Sequence, residues 1–184
     1  YAVLYLTNNW EWSGGMSQYL EWAGKGPIPV PAIPPNTWPQ YMSYTEKFHS
    51  CEPCMEALNN HVKFIMTRTN AYTKRKYTED NTIMAWQVGN EPRLFTVENE
   101  AKFTAWLNNI VDLMDSLDKN HLISTGSEGK ISSNDDMEIF ERTHKNPNID
   151  YLTMHIWPKN WNWYKAEDAV KTLPTTLENT GKYI

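Results

Sequence analysis

The sequence has no excess of positive charge and no long apolar run. Seventeen lysines and arginines stand against 22 aspartates and glutamates, so the formal net charge is −5. Proteins that bind nucleic acids favour basic surfaces, and we therefore expect no nucleic-acid partner. No apolar run approaches the roughly 20 residues of a membrane-spanning helix, so we expect no membrane partner either. A chain of 184 residues suffices for one hydrophobic core, which makes one domain the default.

Cysteine is also scarce, with only Cys51 and Cys54 in the segment HSCEPCM. One interpretation is a short-loop disulfide or two inert thiols, and the other is a partial metal site that includes His49. Structural zinc sites usually have four ligands, and the sequence has no second pair of cysteines. We therefore favour the disulfide or the inert thiols and expect no metal ion.

Aromatic residues, by contrast, are abundant, with nine tryptophans and ten tyrosines. Many of them lie beside Asn, Gly, Ser and Pro in predicted loops, as in NNWEWSGG, NTWPQY and IWPKNWNWY. In one interpretation these rings, Trp161 and Trp163 among them, only pack loops onto the fold. In the other, several rings line a cleft, where they can stack on the apolar C–H faces of sugars.

Short apolar segments alternate with helical patterns along the chain. The strands are predicted at residues 2–7, 83–88, 122–125 and 151–156. Each strand is nearly continuously apolar, as in parallel strands that are buried on both faces. The helices are predicted at residues 52–68, 98–117 and 135–145 and from about Pro174 onward, with Thr96 as the cap of the second. This alternation predicts a parallel α/β fold.

Polar and aromatic clusters follow the predicted strands, in NNWEW, GNEPR, GSEG and HIWPKNW. A (β/α)₈ barrel shows this pattern because its active site is built at the carboxyl ends of its strands. A doubly wound sheet is the alternative, but no glycine-rich phosphate loop follows any strand, so nucleotide binding is not supported.

The number of strands bears on the domain organisation. Four βα units cannot close an eight-stranded barrel, which typically takes about 250 residues. We therefore predict a partial (β/α)₈ TIM barrel of about four βα units with parallel strands. Residues 1–184 are expected to form an incomplete catalytic domain that is truncated at both ends.

The segment AWQVGNEPR carries the main candidate for catalysis, Glu91, directly after a predicted strand. A carboxylic acid at that position can protonate the leaving oxygen of a glycosidic bond, and Asn90 can hydrogen-bond a sugar hydroxyl. Pro92 removes a backbone donor and fixes the direction in which the chain leaves the strand. The alternative is a simple turn or helix cap, but the preceding strand and the following Arg93 favour catalysis.

These residues belong to a wider resemblance. The sequence resembles glycoside hydrolase family 5, in the clan of retaining (β/α)₈ enzymes, and within it the endo-β-1,4-mannanases. The stretches that carry the resemblance are YLTNNWEWSGGMSQYLEWAG (5–24), HVKFIMTRTN (61–70), TIMAWQVGNEPR (82–93), HLISTGSEG (121–129) and NIDYLTMHIWPKNW (148–161). They follow one another in the order of the family across nearly the whole chain.

The resemblance implies a role for each matching residue around the bond that is cleaved. Glu91 matches the general acid/base, and Asn90 matches the neighbour that contacts the sugar at the cleavage site. Arg93 and Glu128 match positions that hydrogen-bond the leaving-group sugars. Alternatively, Arg93 only pairs with an acidic residue, and Glu128 is a surface turn residue.

Four further residues match the rim and wall of the cleft. His155 and Trp157 match a pair beside the catalytic carboxylates, where many relatives have Tyr at the second position. Asn9 and Trp10 match a loop on the cleft wall, although NNWEWSGG departs from the acidic pair followed by Phe of fungal relatives. The alternative for His155 is a buried structural histidine.

The resemblance also implies a second glutamate, the nucleophile, in a motif similar to Glu-Phe-Gly at the end of a seventh strand. The chain contains no such motif, so we expect the nucleophile beyond Ile184 and an inactive fragment. The implied substrate is β-mannan or a related polysaccharide, with no cofactor. An extracellular or periplasmic location is implied, although the chain shows no signal-peptide pattern. The competing functions are a related β-glucanase, an exo-β-mannosidase and a non-catalytic carbohydrate-binding barrel.

Overall fold

A computed structural model describes all 184 residues and contains one parallel sheet. Its strands are β1 (Ala2–Tyr5), β2 (Ile83–Gln87) and β3 (Leu122–Ser124), in the order β1-β2-β3. Leu4 lies opposite Trp86, which in turn lies opposite Ile123. The strands alternate with helices along the chain, and the prediction of an α/β fold with parallel strands is confirmed.

Six α-helices lie between and after the strands along the chain. They are α1 (Met16–Trp22), α2 (Trp38–Thr45), α3 (Glu52–Thr67), α4 (Glu100–Leu117), α5 (Met137–Thr143) and α6 (Ala169–Tyr183). Short 3₁₀ helices lie at Glu11–Ser13, Glu46–Ser50, Tyr77–Glu79, Val97–Asn99, Lys130–Ser133 and Ala166–Asp168. None of the helices combines the length and the apolarity that crossing a membrane requires.

The core lies between one face of the sheet and helices α1, α3 and α4. The two long helices bury apolar residues at helical spacing, such as Leu58 and Val62 on α3 and Leu107 and Ile110 on α4. On the sheet they meet Trp86, which has no exposed surface. Each such fully buried side chain stabilises the fold by about 1.5–3 kcal/mol, so this layer holds the strands in place.

The other face of the sheet is only partly covered. Val3, Tyr5 and Leu122 lie on it and keep 40%, 52% and 43% of their surface exposed. The expectation that the strands are buried on both faces is therefore wrong for these three residues, because helices pack on one side only, whereas the central strand β2 buries Ala85 and Trp86 on opposite faces. In a closed barrel, side chains from the other strands fill this second side.

The predicted fourth strand at residues 151–156 is wrong. The segment runs beside the end of β3 but shares few backbone bonds with it: Asp150 donates to Ile123 over 2.9 Å, and His155 donates to Glu128 over 3.2 Å. No continuous ladder forms, because β3 already ends at Ser124. Three strands rather than four are therefore formed.

Helix α3 begins at the predicted residue, Glu52, whereas the three later helices begin at residues other than the predicted ones. Helix α6 begins at Ala169, and Pro174 lies inside it rather than at its start. Thr96 does not cap α4 with its side chain but donates its hydroxyl proton to Glu46. Helix α5 is capped by Asp136, whose Oδ1 accepts from the amides of the second and third following residues.

Cys51 and Cys54 form a disulfide, so the metal alternative is wrong. His49 packs with its ring 5.0 Å from that of Trp106, and its Nδ1 lies 2.7 Å from Nδ2 of Asn99. Burial lowers the pKa of His49 to about 3, which keeps this histidine neutral in the folded protein. Its role is structural.

Candidate active site

A cavity of about 690 Å³ opens at the carboxyl ends of the strands, and we call it the main cavity. Such a volume lies within the range of ligand pockets, about 300–1,000 Å³. It is lined by Trp10, Trp12, Trp38, Met42, Asn90, Glu91, Arg93, Glu128, His155, Ile156, Trp157, Asn160 and Trp161. Seven of the eight residues that the sequence singled out therefore lie together.

The backbone of Glu91 is held in a conformation that few residues adopt. Its φ is +55°, in the left-handed region, and its amide donates to the carbonyl of Gly126 over 3.0 Å. Gly126 itself has a φ of +74°, and a Cβ there would lie 1.9 Å from the carbonyl oxygen of Gly89. The glycine therefore lets the loops after β2 and β3 approach each other. Strained non-glycine residues of this kind cluster at functional sites.

The Glu91 carboxyl group is almost buried, with 8% of the residue exposed, and each of its oxygens has a partner. Trp10 donates from Nε1 to Oε2 over 2.6 Å, and Nδ1 of His155 lies 2.6 Å from Oε1. Trp10 comes from the loop after β1, and His155 comes from the segment after α5. Two distant parts of the chain therefore fix this one carboxyl group.

A second pair of charged groups lies beside it. Nε of Arg93 is 2.5 Å from Oε1 of Glu128, and the Glu128 side chain is almost completely buried. Burial raises the pKa of Glu128 and outweighs the opposing effect of the Arg93 charge, while the nearby Glu91 raises it further. The Arg93 guanidinium also lies 4.9 Å from the ring centre of Trp10, a cation–π contact.

The two asparagines that the sequence proposed are placed differently. Asn90 lines the main cavity, and its Nδ2 donates to Oδ1 of Asn8 over 3.2 Å. Asn9 is completely buried and does not line the cavity, so the structure does not bring it to the site. Its backbone amide bonds to Asn90, and its carbonyl accepts from the hydroxyl of Tyr41. These two bonds hold the backbone of Asn9 in place, and the side chain of the next residue, Trp10, contacts the Glu91 carboxylate.

Five tryptophans line the main cavity, as one of the two interpretations of the aromatic residues predicts. Trp10 and Trp12 stack with ring centres 5.6 Å apart, and Trp38 lies edge-on to both. Trp157 is 51% exposed at the opening. Flat apolar rings beside carboxylates suit a sugar, which has an apolar face and a rim of hydroxyl groups.

Sequence reasoning did not single out several residues of the lining, although Trp38 lies in NTWPQY, one of the aromatic segments considered for a cleft. Trp38 and Met42 are one helical turn apart on α2, whose Thr37–Gln40 capping box is readable in the sequence. That motif is the signal that could have found them. Asn160 and Ile156 gave no separate signal beyond their place in the loop HIWPKNW.

No group of three or more His, Cys, Asp or Glu residues in the 184 residues is arranged to hold a metal ion. A carboxyl group with two fixed partners can exchange a proton, and a second, ion-paired carboxylate can bind hydroxyl groups.

The parallel strands deliver a carboxyl group and tryptophans to their carboxyl ends, which is where a (β/α)₈ barrel builds its active site. The comparison with protein families identifies the family. Residues 1–184 match the family described as GH family 5 beta-mannosidase-like, and the chain belongs to that family.

Individual relatives match almost the whole chain. The chain is 29% identical to mannan endo-1,4-beta-mannosidase 4 of Oryza sativa subsp. japonica, over 94% of its residues and 37% of that protein. A mutant of the glycoside hydrolase family 5 mannosidase from Rhizomucor miehei, in complex with mannosyl-fructose, superimposes with a TM-score of 0.83 at 28% identity. The endo-beta-1,4-mannanase from Thermotoga petrophila superimposes with a TM-score of 0.73 at 25% identity.

These two structures cover 99% and 98% of the chain, and the chain covers 42% and 38% of theirs. The chain thus spans about two fifths of the length of the relatives that it matches. Residues 1–184 therefore form only a part of the barrel seen in these structures.

Proposed function

We propose that the full-length protein, rather than residues 1–184 alone, hydrolyses β-1,4-mannosidic bonds of mannan-type polysaccharides by a retaining double-displacement mechanism. The observation that carries this proposal is the Glu91 carboxyl group, held between Trp10 and His155 in a cavity walled by tryptophans. Membership of the family and the printed names of the relatives support the substrate class.

In the proposed mechanism Glu91 acts first as an acid and then as a base. It protonates the glycosidic oxygen while a second carboxylate attacks the anomeric carbon, and the leaving sugar departs with that proton. Glu91 then takes a proton from water, whose oxygen displaces the enzyme carboxylate from the anomeric carbon. This second step regenerates both carboxyl groups.

The second carboxylate of the mechanism is not assigned to Glu128. Glu128 is the other carboxylate that lines the main cavity, but it is paired with Arg93 and burial raises its pKa. A nucleophile has to be ionised and free to approach the anomeric carbon. The proposal therefore places the nucleophile outside residues 1–184 and gives Glu128 and Arg93 the role of binding leaving-group sugars.

The partners of Glu91 suit a group that changes its protonation during the reaction. The indole of Trp10 can only donate, so Oε2 is kept as an acceptor. His155 can donate or accept at Nδ1, so Oε1 can face it in either protonation state of Glu91. We propose that both residues position the carboxyl group and that Asn90 contacts the sugar at the cleavage site.

A second candidate function is an exo-acting β-mannosidase. It is favoured by the higher TM-score of the Rhizomucor miehei mannosidase, 0.83 against 0.73 for the Thermotoga petrophila endo-mannanase. Products separate the two: endo cleavage releases a ladder of oligosaccharides from linear mannan, whereas exo cleavage releases mannose alone. Because polysaccharide substrates lie outside cells, the proposed location is extracellular or periplasmic.

The proposal is tested with the protein expressed at the full length of its natural reading frame. We expect release of reducing ends from linear β-1,4-mannan, little release from cellulose, and a loss of about 100- to 10,000-fold in the Glu91→Gln variant. An aryl β-mannoside with an acidic leaving group needs no protonation, so the variant should still form the glycosyl-enzyme from it. Unchanged mannan hydrolysis by a correctly folded Glu91→Gln variant would contradict the proposal, and binding of mannan without hydrolysis by the wild type would indicate a carbohydrate-binding protein.

A further inference from the structure

Positive charge is concentrated in one segment of this acidic chain. Residues 63–76, which we call the basic segment, read KFIMTRTNAYTKRK and contain five lysines and arginines and no acidic residue. The remaining residues contain the other 12 lysines and arginines and all 22 aspartates and glutamates, a net charge of −10. Such a local excess of one charge attracts partners of the opposite charge.

The basic segment lies away from the main cavity. It runs from the last turns of α3, which ends at Thr67, into the connection to β2, which begins at Ile83. This connection reaches the amino ends of the parallel strands, whereas the main cavity opens at their carboxyl ends. A ligand of the basic segment therefore does not compete with a ligand of the main cavity.

Backbone and side-chain bonds give the second half of the segment a fixed hairpin shape. Thr69 and Lys76 form an antiparallel bridge, and the amide of Asn70 donates to the carbonyl of Arg75 over 2.8 Å. Oδ1 of Asn70 accepts from the amides of the second and third following residues, over 2.9 and 3.1 Å, which closes the tip. The cations therefore lie on an ordered surface, and less entropy is lost when a partner binds to it.

Most of these cations have no partner within the protein. Lys76 lies 3.6 Å from the carboxylate of Glu79, and both side chains are more than half exposed, at 61% and 57%. The other four cations are exposed and make no ion pair: Lys63, Arg68, Lys74 and Arg75. Their charge is available to an anionic partner.

Exposed aromatic rings lie among the cations. Tyr72 in the hairpin is 96% exposed, and Phe64 on α3 is 64% exposed. The guanidinium of Arg68 lies 5.8 Å from the ring centre of Phe64 and 5.4 Å from that of Tyr77, so two cation–π contacts hold it. Flat rings beside cations suit a ligand that has both apolar faces and negative charge.

We propose that the basic segment binds an acidic polysaccharide, a polymer of pyranose units that carry carboxylates. The cations pair with the carboxylates, and the rings stack on the C–H faces of the same units. The choice of a polysaccharide among polyanions rests on the proposed function, which brings the protein to polysaccharides. The basic segment then retains the enzyme on a charged polymer while the main cavity, at the other end of the strands, acts on neutral mannan.

The test is titration of the full-length protein with polygalacturonate, followed by calorimetry. We expect binding at about 20 mM salt that weakens at about 200 mM salt, because ions screen exposed charges. Fully methyl-esterified polygalacturonate has the same rings without the charges and should bind much more weakly.

The diagnostic variant combines Lys74→Asn, Arg75→Gln and Lys76→Gln. Asparagine is used at position 74 because φ is +57° there, a conformation that this residue type tolerates. Loss of three exposed contacts should weaken polygalacturonate binding roughly 3- to 100-fold and leave mannan hydrolysis unchanged, which also shows that the variant is folded.

The matched control changes the net charge by the same amount at other places. It combines Lys25→Gln, Lys102→Gln and Lys145→Gln, three exposed lysines without an ion pair, and it should bind polygalacturonate like the wild type. A second variant, Tyr72→Ala, keeps every charge, and its ring is too exposed to matter for folding. It should weaken binding roughly 2- to 10-fold, the effect of one lost ring contact.

The outcomes separate this proposal from the proposed function. Equal binding of polygalacturonate by the diagnostic variant and the control, or no binding by the wild type, would overturn it. Tighter binding of single-stranded DNA or of phosphatidylglycerol vesicles would also overturn it, since the partner would then be another class of polyanion. A wild-type protein that binds polygalacturonate through the basic segment but does not hydrolyse mannan would instead overturn the proposed function alone.

Discussion

Nδ1 of His155 lies 2.6 Å from Oε1 of Glu91, although 64 residues separate the two along the chain. The imidazole approaches from the segment after α5 and the carboxyl group from the turn after β2, so the contact depends on the tertiary fold. A hydrogen bond to an ionisable group contributes about 1.5–3 kcal/mol, which makes this pair a sensitive test of the proposed role of Glu91.

The first prediction concerns His155 as a positioning residue. His155→Phe removes the bond to Glu91 and should lower kcat on mannan about 10- to 100-fold with little change in KM, because orientation rather than sugar binding is lost. His155→Asn places an amide nitrogen near the position of Nδ1 and should recover part of the rate. If both variants keep the wild-type kcat, His155 does not position the acid/base.

The second prediction isolates the other partner of the carboxyl group. Trp10→Phe removes the Nε1 donor while it keeps a ring that can stack on Trp12 and face Arg93. We expect kcat to fall roughly 10-fold, since one donor to Oε2 of Glu91 is lost.

The matched control for Trp10 is Trp12→Phe, because Trp12 stacks on Trp10 and lines the same cavity. This variant should change KM more than kcat. Steady-state kinetics on soluble mannan distinguishes the two patterns, and identical behaviour of both variants would mean that the indole donor of Trp10 has no part in the chemistry.

The part of the site that follows from one strand and its turn could be predicted from sequence. The apolar strand and the turn residues Asn90, Glu91 and Pro92 are neighbours in the chain, and a parallel sheet always exposes such a turn at the same edge. The position of Glu91 at this edge could therefore be predicted, and residues 82–93 carry its context without help from the rest of the chain.

The rest depends on contacts that a linear pattern does not contain. The bond between Trp10 and Glu91 joins residues 81 positions apart, and Trp38 reaches the cavity from a short helix inside the long connection from β1 to α3. The failed strand at residues 151–156 shows the same limit. Its apolar residues favour a strand, but Leu152 and Met154 remain exposed because neighbouring strands do not cover them.

The third prediction concerns the ion pair between Arg93 and Glu128. Arg93→Met leaves Glu128 buried without its partner charge, so the free energy of unfolding should fall by on the order of 3 kcal/mol at neutral pH. Because burial raises the pKa of Glu128, the isolated carboxyl group should take up a proton, and the deficit should shrink as the pH is lowered.

The control for this pair is the double variant Arg93→Met with Glu128→Gln, which removes both charges. Its unfolding free energy, measured by urea denaturation, should lie closer to that of the wild type than that of Arg93→Met alone. A double variant that is destabilised by the sum of the two single changes would show that the pair is not coupled.

The fourth prediction is a loss of stability in acid that arises from two buried histidines. Burial lowers the pKa of His49 to about 3 and that of His144 to about 4, whereas both are near 6.5 in an unfolded chain. Between those values the unfolded chain binds more protons than the folded one, so stability is complete above pH 6.5 and falls as the pH decreases. Each histidine should contribute a slope of about 1.4 kcal/mol per pH unit over this range.

His49→Phe keeps an aromatic ring in the pocket beside Trp106 and should flatten the dependence by the share of one histidine, as measured by denaturation at pH 7 and pH 5. His61→Phe serves as the control, because this histidine lies on the outer face of α3 and is not buried; an equal flattening in both variants would assign the acid sensitivity to other groups.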